Sequence, residues 1–528
     1  MLVSTLCFTL VVSAFTGEDD KLVKAAEDVR KAATAPNRGD DGRPLPLFAS
    51  WNTGGVGEGF TLDWQLTMLR QGRRLLPWFA LERPDARLEP HQLKALDECK
   101  RLGLPLVFIS TQWEHFLTSD KRLFALPPEE NANVVGMDGV VQRRISPFGS
   151  VPPWKEVGER WGSAPLLQQV QAIYPNPPFV LFLSNNEHLK ITWSKIEEDR
   201  RYIEKYGSGK DDEFKRKVVG DGWIERYRTL QEGFRSKLPS EEWKKAARFA
   251  GYNAFGPETM GRWVNWPQHS LHSGKRMSPW PLAWDGGAPS FYTNNWEMAT
   301  DYTVFSPQVQ CMNWRPMLKH AYKDNPEFWF EMSLWDGAAP KKDNSKRRYY
   351  SDRNQEYTPE RYAGMAQFGM WLLRPRVVRE FRGYRETRTE FEPFTLAVMD
   401  AVDRIHENET LAEFWKYGRL VADRSRKHPY EIGIPDLIAS EDRWFRLPTS
   451  EDPAGRWKLQ TELPSFALAL VMGEAPTRKW LVYSHSALGE KKKLKTKIPG
   501  GREVAIDSPV GGAYWLVEEK GKALRRIE

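Results

Sequence analysis

The feature that most constrains this chain is a repeated pattern of elements. Short apolar segments recur at Leu45–Ser50, Leu75–Ala80, Leu104–Ser110, Phe179–Ser184, Ala247–Tyr252, Val309–Trp314, Phe328–Ser333 and Phe368–Leu373. Helical stretches lie between most of them. Leu93, Leu96 and Cys99 recur at i, i+3, i+6 before a Leu102–Gly103 stop, and Arg315–Lys323 follows the sixth segment directly. A strand that is apolar throughout must be covered on both faces, and strand followed by amphipathic helix meets that need in a parallel sheet clothed by helices. Eight such units predict an α/β chain closed as a (β/α)8 TIM barrel over residues 45–430. An open doubly wound sheet is the alternative. The chain has neither a G-x-G-x-x-G turn after a first strand nor a G-K-[ST] phosphate loop to support it.

The ends read differently. Leu2–Val12 is an almost unbroken apolar run followed by the small residues Ser13 and Ala14, so residues 1–14 read as a signal peptide and the protein as secreted or periplasmic. The run is too short to cross a bilayer, and no later stretch reads as transmembrane. No Lys or Arg precedes the run, so an uncleaved, buried segment is the competing reading. Residues 15–44 form an N-terminal extension and linker, helix-prone and then broken by Pro36 to Gly39. Residues 431–528 change character: Trp444–Leu447, Trp457–Gln460, Phe466–Met472, Trp480–Ser484, Glu503–Ile506 and Ala513–Val517 are short strands between turn residues. They predict a β-sandwich-like accessory domain packed on the barrel. Trp113–Gly162 and Met277–Asp301 are expected as long loops over the C-terminal face of the strands, where barrel enzymes shape their substrates.

Composition narrows the function. The chain carries 23 Trp, 26 Phe and 17 Tyr, whose flat faces fill cores and also stack on sugar rings. Its formal charge of +7, from 77 basic and 70 acidic residues, is modest for 528 residues, and no extended basic groove motif points to nucleic acid. One local run, Lys491, Lys492, Lys493, Lys495 and Lys497, reads as a solvated hairpin or a contact for an anionic glycan or headgroup. Cys99, on an apolar helix face, and Cys311, in an expected strand, read as buried thiols. The nine His residues are dispersed, with no H-E-x-x-H and no Cys/His spacing, so neither a metal nor a cofactor is expected. Ser184 lacks a G-x-S-x-G setting and has no activation mechanism.

Two strand ends place a carboxylate just after buried-looking residues: Phe179-Val-Leu-Phe-Leu-Ser-Asn-Asn-Glu187 and Phe328-Trp-Phe-Glu331-Met-Ser-Leu-Trp335. One such Glu means little. A pair on the fourth and seventh strands of a closed barrel would share one rim. This pattern resembles the large (β/α)8-barrel clan of retaining glycoside hydrolases, clan A, in which an Asn-Glu pair ends the fourth strand and a second Glu ends the seventh. The resemblance implies Glu187 as acid/base, Glu331 as nucleophile and Asn186 as donor to the hydroxyl beside the anomeric carbon. The chemistry agrees, since a leaving oxygen needs a protonated acid while the anomeric carbon needs an ionised carboxylate opposite.

Around that pair, Trp51, Gln112, Trp113, Tyr252, Asn253, Asn313, Trp314, Trp335 and Trp371 fall at or near segment ends and are compatible with a ring lining one sugar pocket. The resemblance further implies a Trp floor from the eighth strand, best matched by Trp371, and a Tyr near the end of the sixth. Tyr292 or Tyr302 could supply that Tyr only if the sixth strand is bounded differently. The expected activity is retaining hydrolysis of β-glycosidic bonds in a polysaccharide or oligosaccharide, neutral or anionic. The alternatives are a non-catalytic carbohydrate-binding protein on the same barrel and, third, an intracellular α/β protein.

Overall fold

The computed structural model describes residues 17–50, 61–110, 112–184, 190–252, 271–292, 306–335, 350–380, 388–426, 428, 434–451 and 465–528. The leader 1–14, Trp51, Asn186, Glu187, Asn253, Tyr302 and the expected strand Trp457–Gln460 lie outside the described residues.

Eight parallel strands form one curved sheet. They are β1 (Leu47–Ser50), β2 (Trp78–Ala80), β3 (Leu106–Ser110), β4 (Val180–Ser184), β5 (Ala247–Gly251), β6 (Gly286–Gly287), β7 (Trp329–Trp335) and β8 (Val377–Glu380). Their spatial order, β1-β8-β7-β6-β5-β4-β3-β2, follows the chain around a ring. The seam between β1 and β2 is nearly closed: Phe48 N donates to Arg74 O at 3.0 Å, and Leu76 N to Phe48 O at 2.8 Å. The result is an eight-stranded parallel near-barrel within a mixed α/β chain.

Side-chain alternation assigns the faces. Phe79, Phe108, Phe182 and Phe249 stand in register on four neighbouring strands, with Phe108 stacked on Phe182 at 5.3 Å and Phe182 on Phe249 at 5.4 Å. Phe182 also meets Phe234 of the helix Asp212–Ser236 at 4.6 Å, so this row faces outward to the helices. The intervening Val107, Ile109, Leu181, Leu183 and Ala250 face inward and are buried, so the barrel is filled by side chains.

Two expected strands are helices. Val309–Trp314 lies within the helix Ser306–Asp324, and Phe368–Leu373 within the helix Pro359–Leu373. Short apolar runs are ambiguous between a buried strand and a buried helix turn. The sixth strand is Gly286–Gly287, followed by Ser290–Tyr292, which also pairs with β7; the eighth is Val377–Glu380. Cys311 therefore sits on a helix rather than in a strand. It and Cys99 are buried free thiols, and burial pushes both up, Cys99 to about 12.

Trp113–Gly162, expected as a loop, builds structure of its own: short helical turns, the hairpin Asn133–Val135/Val141–Ile145 and the helix Pro152–Gly162. That helix packs on Asp212–Ser236 so closely that a Cβ at Gly158 would lie 1.9 Å from Leu230 O. Only glycine permits this approach.

The first described helix and the C-terminal strands are packed against the barrel. In the helix Gly17–Thr34, Leu22, Ala25, Ala26, Val29, Ala32 and Ala33 join the main core, and Arg376 Nη1 donates to Ala32 O and Ala35 O at its C-terminus, each at 2.8 Å. After the barrel come β9 (Arg419–Leu420), β10 (Ser465–Met472), β11 (Lys479–Ser486), β12 (Lys491–Lys497), β13 (Glu503–Ser508), β14 (Ala513–Glu518) and β15 (Leu524–Ile527). Strands β9-β10-β11-β14-β15 form an antiparallel sheet that draws in Arg419 and Leu420 from before residue 431. Its Phe466, Leu468, Leu470, Tyr483 and Tyr514 join the barrel-side core. Ala467, Ala469, Trp480 and Val482 face a second core closed by Ile498, Val504 and Ile506 of the β12–β13 region. The lysines of β12 are exposed on the outside of that hairpin, while Leu494 and Thr496 point in. Among the described residues no helix is long and apolar enough to cross a membrane.

Candidate functional site

The polar centre of the barrel is built from four neighbouring strands. On β7, Trp329, Glu331 and Ser333 alternate onto the interior face. Arg379 of β8 meets Glu331 through two bonds, Nε to Oε2 at 2.5 Å and Nη2 to Oε1 at 3.0 Å, and its Nη1 donates to Ser50 O of β1 at 2.9 Å. Trp329 Nε1 donates to Glu331 Oε1 at 2.8 Å, and Trp78 of β2 donates from Nε1 to Ser50 Oγ at 2.9 Å. Glu331 and Arg379 are both completely buried. Below them Phe179 stacks on Trp329, ring centroids 4.7 Å apart, and the Arg376 guanidinium lies 5.0 Å from the same indole. Aromatic rings thereby pack beneath the carboxylate at the start of β7.

The donor set suits an anionic carboxylate. Glu331 accepts three N–H bonds from protein groups, two of them in the fork geometry by which a guanidinium recognises a carboxylate. Oε1 takes two of these and Oε2 one, so Oε2 keeps more lone-pair capacity toward a third party. Two residues along the same face, Ser333 is buried, and its hydroxyl has no partner among the described residues.

Glu331 does not end its strand. β7 runs on to Trp335, and Glu331 pairs in register with Val377, the first residue of β8. The carboxylate thus lies one layer below the rim. Trp335 closes the strand beside Tyr292, which ends Ser290–Tyr292, so the backbone of Tyr292 reaches the position next to the end of β7 that the expected sixth strand lacked. The side chains of Trp335 and Tyr292 lie outside the described set.

The other expected pocket residues divide. Tyr252 follows β5 directly, is buried, and donates its backbone N–H to Ser184 O at the end of β4 (2.9 Å). Gln112 is partly buried ahead of the turn Trp113–His115. Trp113 is completely buried outside the barrel, stacked on Trp284 at 5.8 Å and edge-on to Phe249 at 5.9 Å, so its ring serves the core rather than a sugar. Asn313 and Trp314 lie on a helix, not at a strand end, and Asn313 Oδ1 accepts from Arg443 Nη1 at 3.1 Å. Trp371 is likewise helical and wholly buried, donating from Nε1 to Tyr514 Oη at 2.8 Å where the barrel meets the C-terminal sheet. It does not floor the barrel, because the run that carries it is the helix preceding β8.

Arg379 and Trp329 were missed by sequence reasoning. The signal for Trp329 was its place two residues before Glu331, which puts both on one face; Arg379 was hidden because a charged residue argues against a buried strand unless its partner is known. Among the described residues no three His, Cys, Asp or Glu side chains gather as a metal site would require. No protein-family model matches the chain, and no curated protein matches it.

Proposed function

We propose that the protein hydrolyses β-glycosidic bonds in a polysaccharide or oligosaccharide with retention, using Glu331 as nucleophile and Glu187 as acid/base. The observation that carries this reading is the Glu331 carboxylate held by three N–H donors inside a parallel near-barrel, on β7, with β4 leading in sequence into Asn186-Glu187. Parallel strands of such a barrel end on one rim, the usual place for catalysis in this architecture.

The proposed reaction has two steps. Glu331 Oε2 attacks the anomeric carbon while the protonated Glu187 gives its proton to the departing oxygen. Water, deprotonated by Glu187, then cleaves the glycosyl ester and frees Glu331. Arg379 and Trp329 fix the carboxylate before substrate arrives, which lowers the reorganisation needed in the transition state. Asn186 bonds the neighbouring sugar hydroxyl, and the activity needs no cofactor.

A second reading is favoured by one observation, the complete burial of the Glu331–Arg379 pair below the end of β7. A closed ion pair also suits a carbohydrate-binding barrel without turnover. Incubation of purified protein with a panel of polysaccharides and aryl β-glycosides, followed by NMR of the first products, separates the two. The hydrolase reading expects the β-anomer to appear first. Binding without products would favour the second reading, and α-anomer as first product would reject retention.

A further inference from the structure

A second buried ion pair lies where the chain leaves β3 and β4. Lys190 Nζ donates to Glu114 Oε1 at 3.2 Å, with the two side chains 1% and 0% exposed. Tyr227 Oη donates to the same oxygen at 3.0 Å. Burial, and then the Glu114 charge, push the Tyr227 phenol up, so it stays a donor. The surroundings are aromatic: the Tyr227 ring lies 4.9 Å from Trp284, 5.3 Å from Trp154 and 6.0 Å from Trp280, and Lys190 Nζ is 5.8 Å from the Tyr227 centroid.

Stability alone does not call for charges here. In an apolar shell the desolvation of both ions offsets most of their attraction, and a well-packed apolar pair is often as stable or more so. What the ions add is a fixed point, because an ammonium bonded to one carboxylate oxygen sets where its backbone must lie. That backbone is specific. Ser184 ends β4 with its carbonyl bound to Tyr252 N, and at Lys190 the chain bridges to Ile145, with Ile191 N donating to Ile145 O at 3.1 Å. Only residues 185–189, which include Asn186 and Glu187, separate these two tethers.

We propose that the Glu114–Lys190 ion pair is the positioning element for the segment that carries Glu187. Glu114 and Lys190 touch no reacting atom; they set the exit point from which the acid/base is presented. The catalytic consequence rests on the glycosidase reading above, whereas the mechanical one does not.

The test uses the full chain and the double variant Glu114→Leu/Lys190→Met, which removes both charges while filling the space. Hydrogen exchange of peptides covering residues 185–192 is expected to quicken about tenfold or more, while Tm falls by only about a few degrees, the cost of leaving the buried Tyr227 hydroxyl without its Glu114 acceptor. With any aryl glycoside that the parent cleaves, kcat falls and KM changes little. The fall is larger for p-nitrophenyl than for 2,4-dinitrophenyl glycosides, because the better leaving group needs little protonation. If the double variant does not fold, Glu114→Gln, which keeps the size of the side chain and an acceptor for Tyr227, takes its place in the same exchange measurement. Parental exchange over 185–192 in the folded variant overturns the proposal. A parent that cleaves no glycoside defeats the hydrolase reading instead, and the exchange result still decides the positioning role.

Discussion

Arg379 grips Glu331 across adjacent strands through two nitrogens, Nε at 2.5 Å and Nη2 at 3.0 Å, with neither side chain exposed. A buried pair of this kind is asymmetric in its energetics: losing one partner strands a charge, while losing both removes the desolvation cost as well. Arg379→Met is therefore expected to destabilise the fold by about 3–5 kcal/mol, and Glu331→Leu/Arg379→Met by much less. Both should be inactive. Arg379→Lys should recover part of the stability but little activity, because an ammonium cannot form the fork. Denaturant unfolding of the three variants checks this; equal stability of the single and double variants would show that the pair is not tightly coupled.

Trp371 gives a test of the barrel's boundary. Its indole donates to Tyr514 Oη and meets the Trp415 ring edge-on at 5.2 Å, all within the junction between the barrel helices and the C-terminal sheet. Trp371→Phe should lower stability by about 1–2 kcal/mol through the lost bond and the smaller ring, and leave KM for any cleaved glycoside unchanged. A raised KM with unchanged Tm would instead return Trp371 to the sugar site.

Much of the barrel was legible in the sequence because strands covered on both faces must be apolar throughout. The segments around Phe48, Phe79, Phe108, Phe182, Phe249 and Phe330 satisfied that rule and are strands. The sixth strand was hidden because Gly286 and Gly287 carry no side chains to show a pattern. A Cβ at Gly286 would lie 2.5 Å from Trp329 O, so close approach to β7 accounts for glycine there. The eighth was hidden because Arg379 and Glu380 are buried charges, one bound to Glu331 and the other to Tyr362 Oη. Their partners lie 48 and 18 residues away, beyond any local window. In their place the sequence offered Val309–Trp314 and Phe368–Leu373, helix turns whose residues Cys311–Trp314 and Phe368–Leu373 are so deeply buried that their apolar runs imitate strands. The same cause misplaced Asn313 and Trp371, while the run that carries Glu331 was read as a strand and is one.

Acid should weaken the fold through its buried imidazoles. His485 is completely buried, its Nδ1–H bound to Val510 O at 2.9 Å, and burial depresses it from the ordinary value of 6.5 to about 4. His406, bound to Pro46 O, is held down to about 4 as well, again chiefly by burial. Between those values the unfolded chain binds protons that the folded one refuses, so stability falls as pH drops from about 6.5 toward 4 and this contribution stops falling below 4. For His485 alone the loss is of the order of 3 kcal/mol. His485→Asn, whose amide nitrogen takes the place of Nδ1, should remove that share of the pH dependence. An unchanged slope between pH 6.5 and 4 in urea unfolding would exclude His485 as a source.

The most direct test of the central claim is the site of covalent capture. The protein is incubated with 2,4-dinitrophenyl 2-deoxy-2-fluoro-β-glycosides of any sugar whose aryl glycoside it is found to cleave, reagents that form the glycosyl ester and hydrolyse slowly, and the labelled peptide is sequenced by mass spectrometry. The account expects one label per chain, on Glu331 within Trp329–Trp335, and loss of that label in Glu331→Gln. A label on any other carboxylate of an active protein would contradict the assignment of Glu331 as nucleophile, and with it the role given to the Arg379 grip.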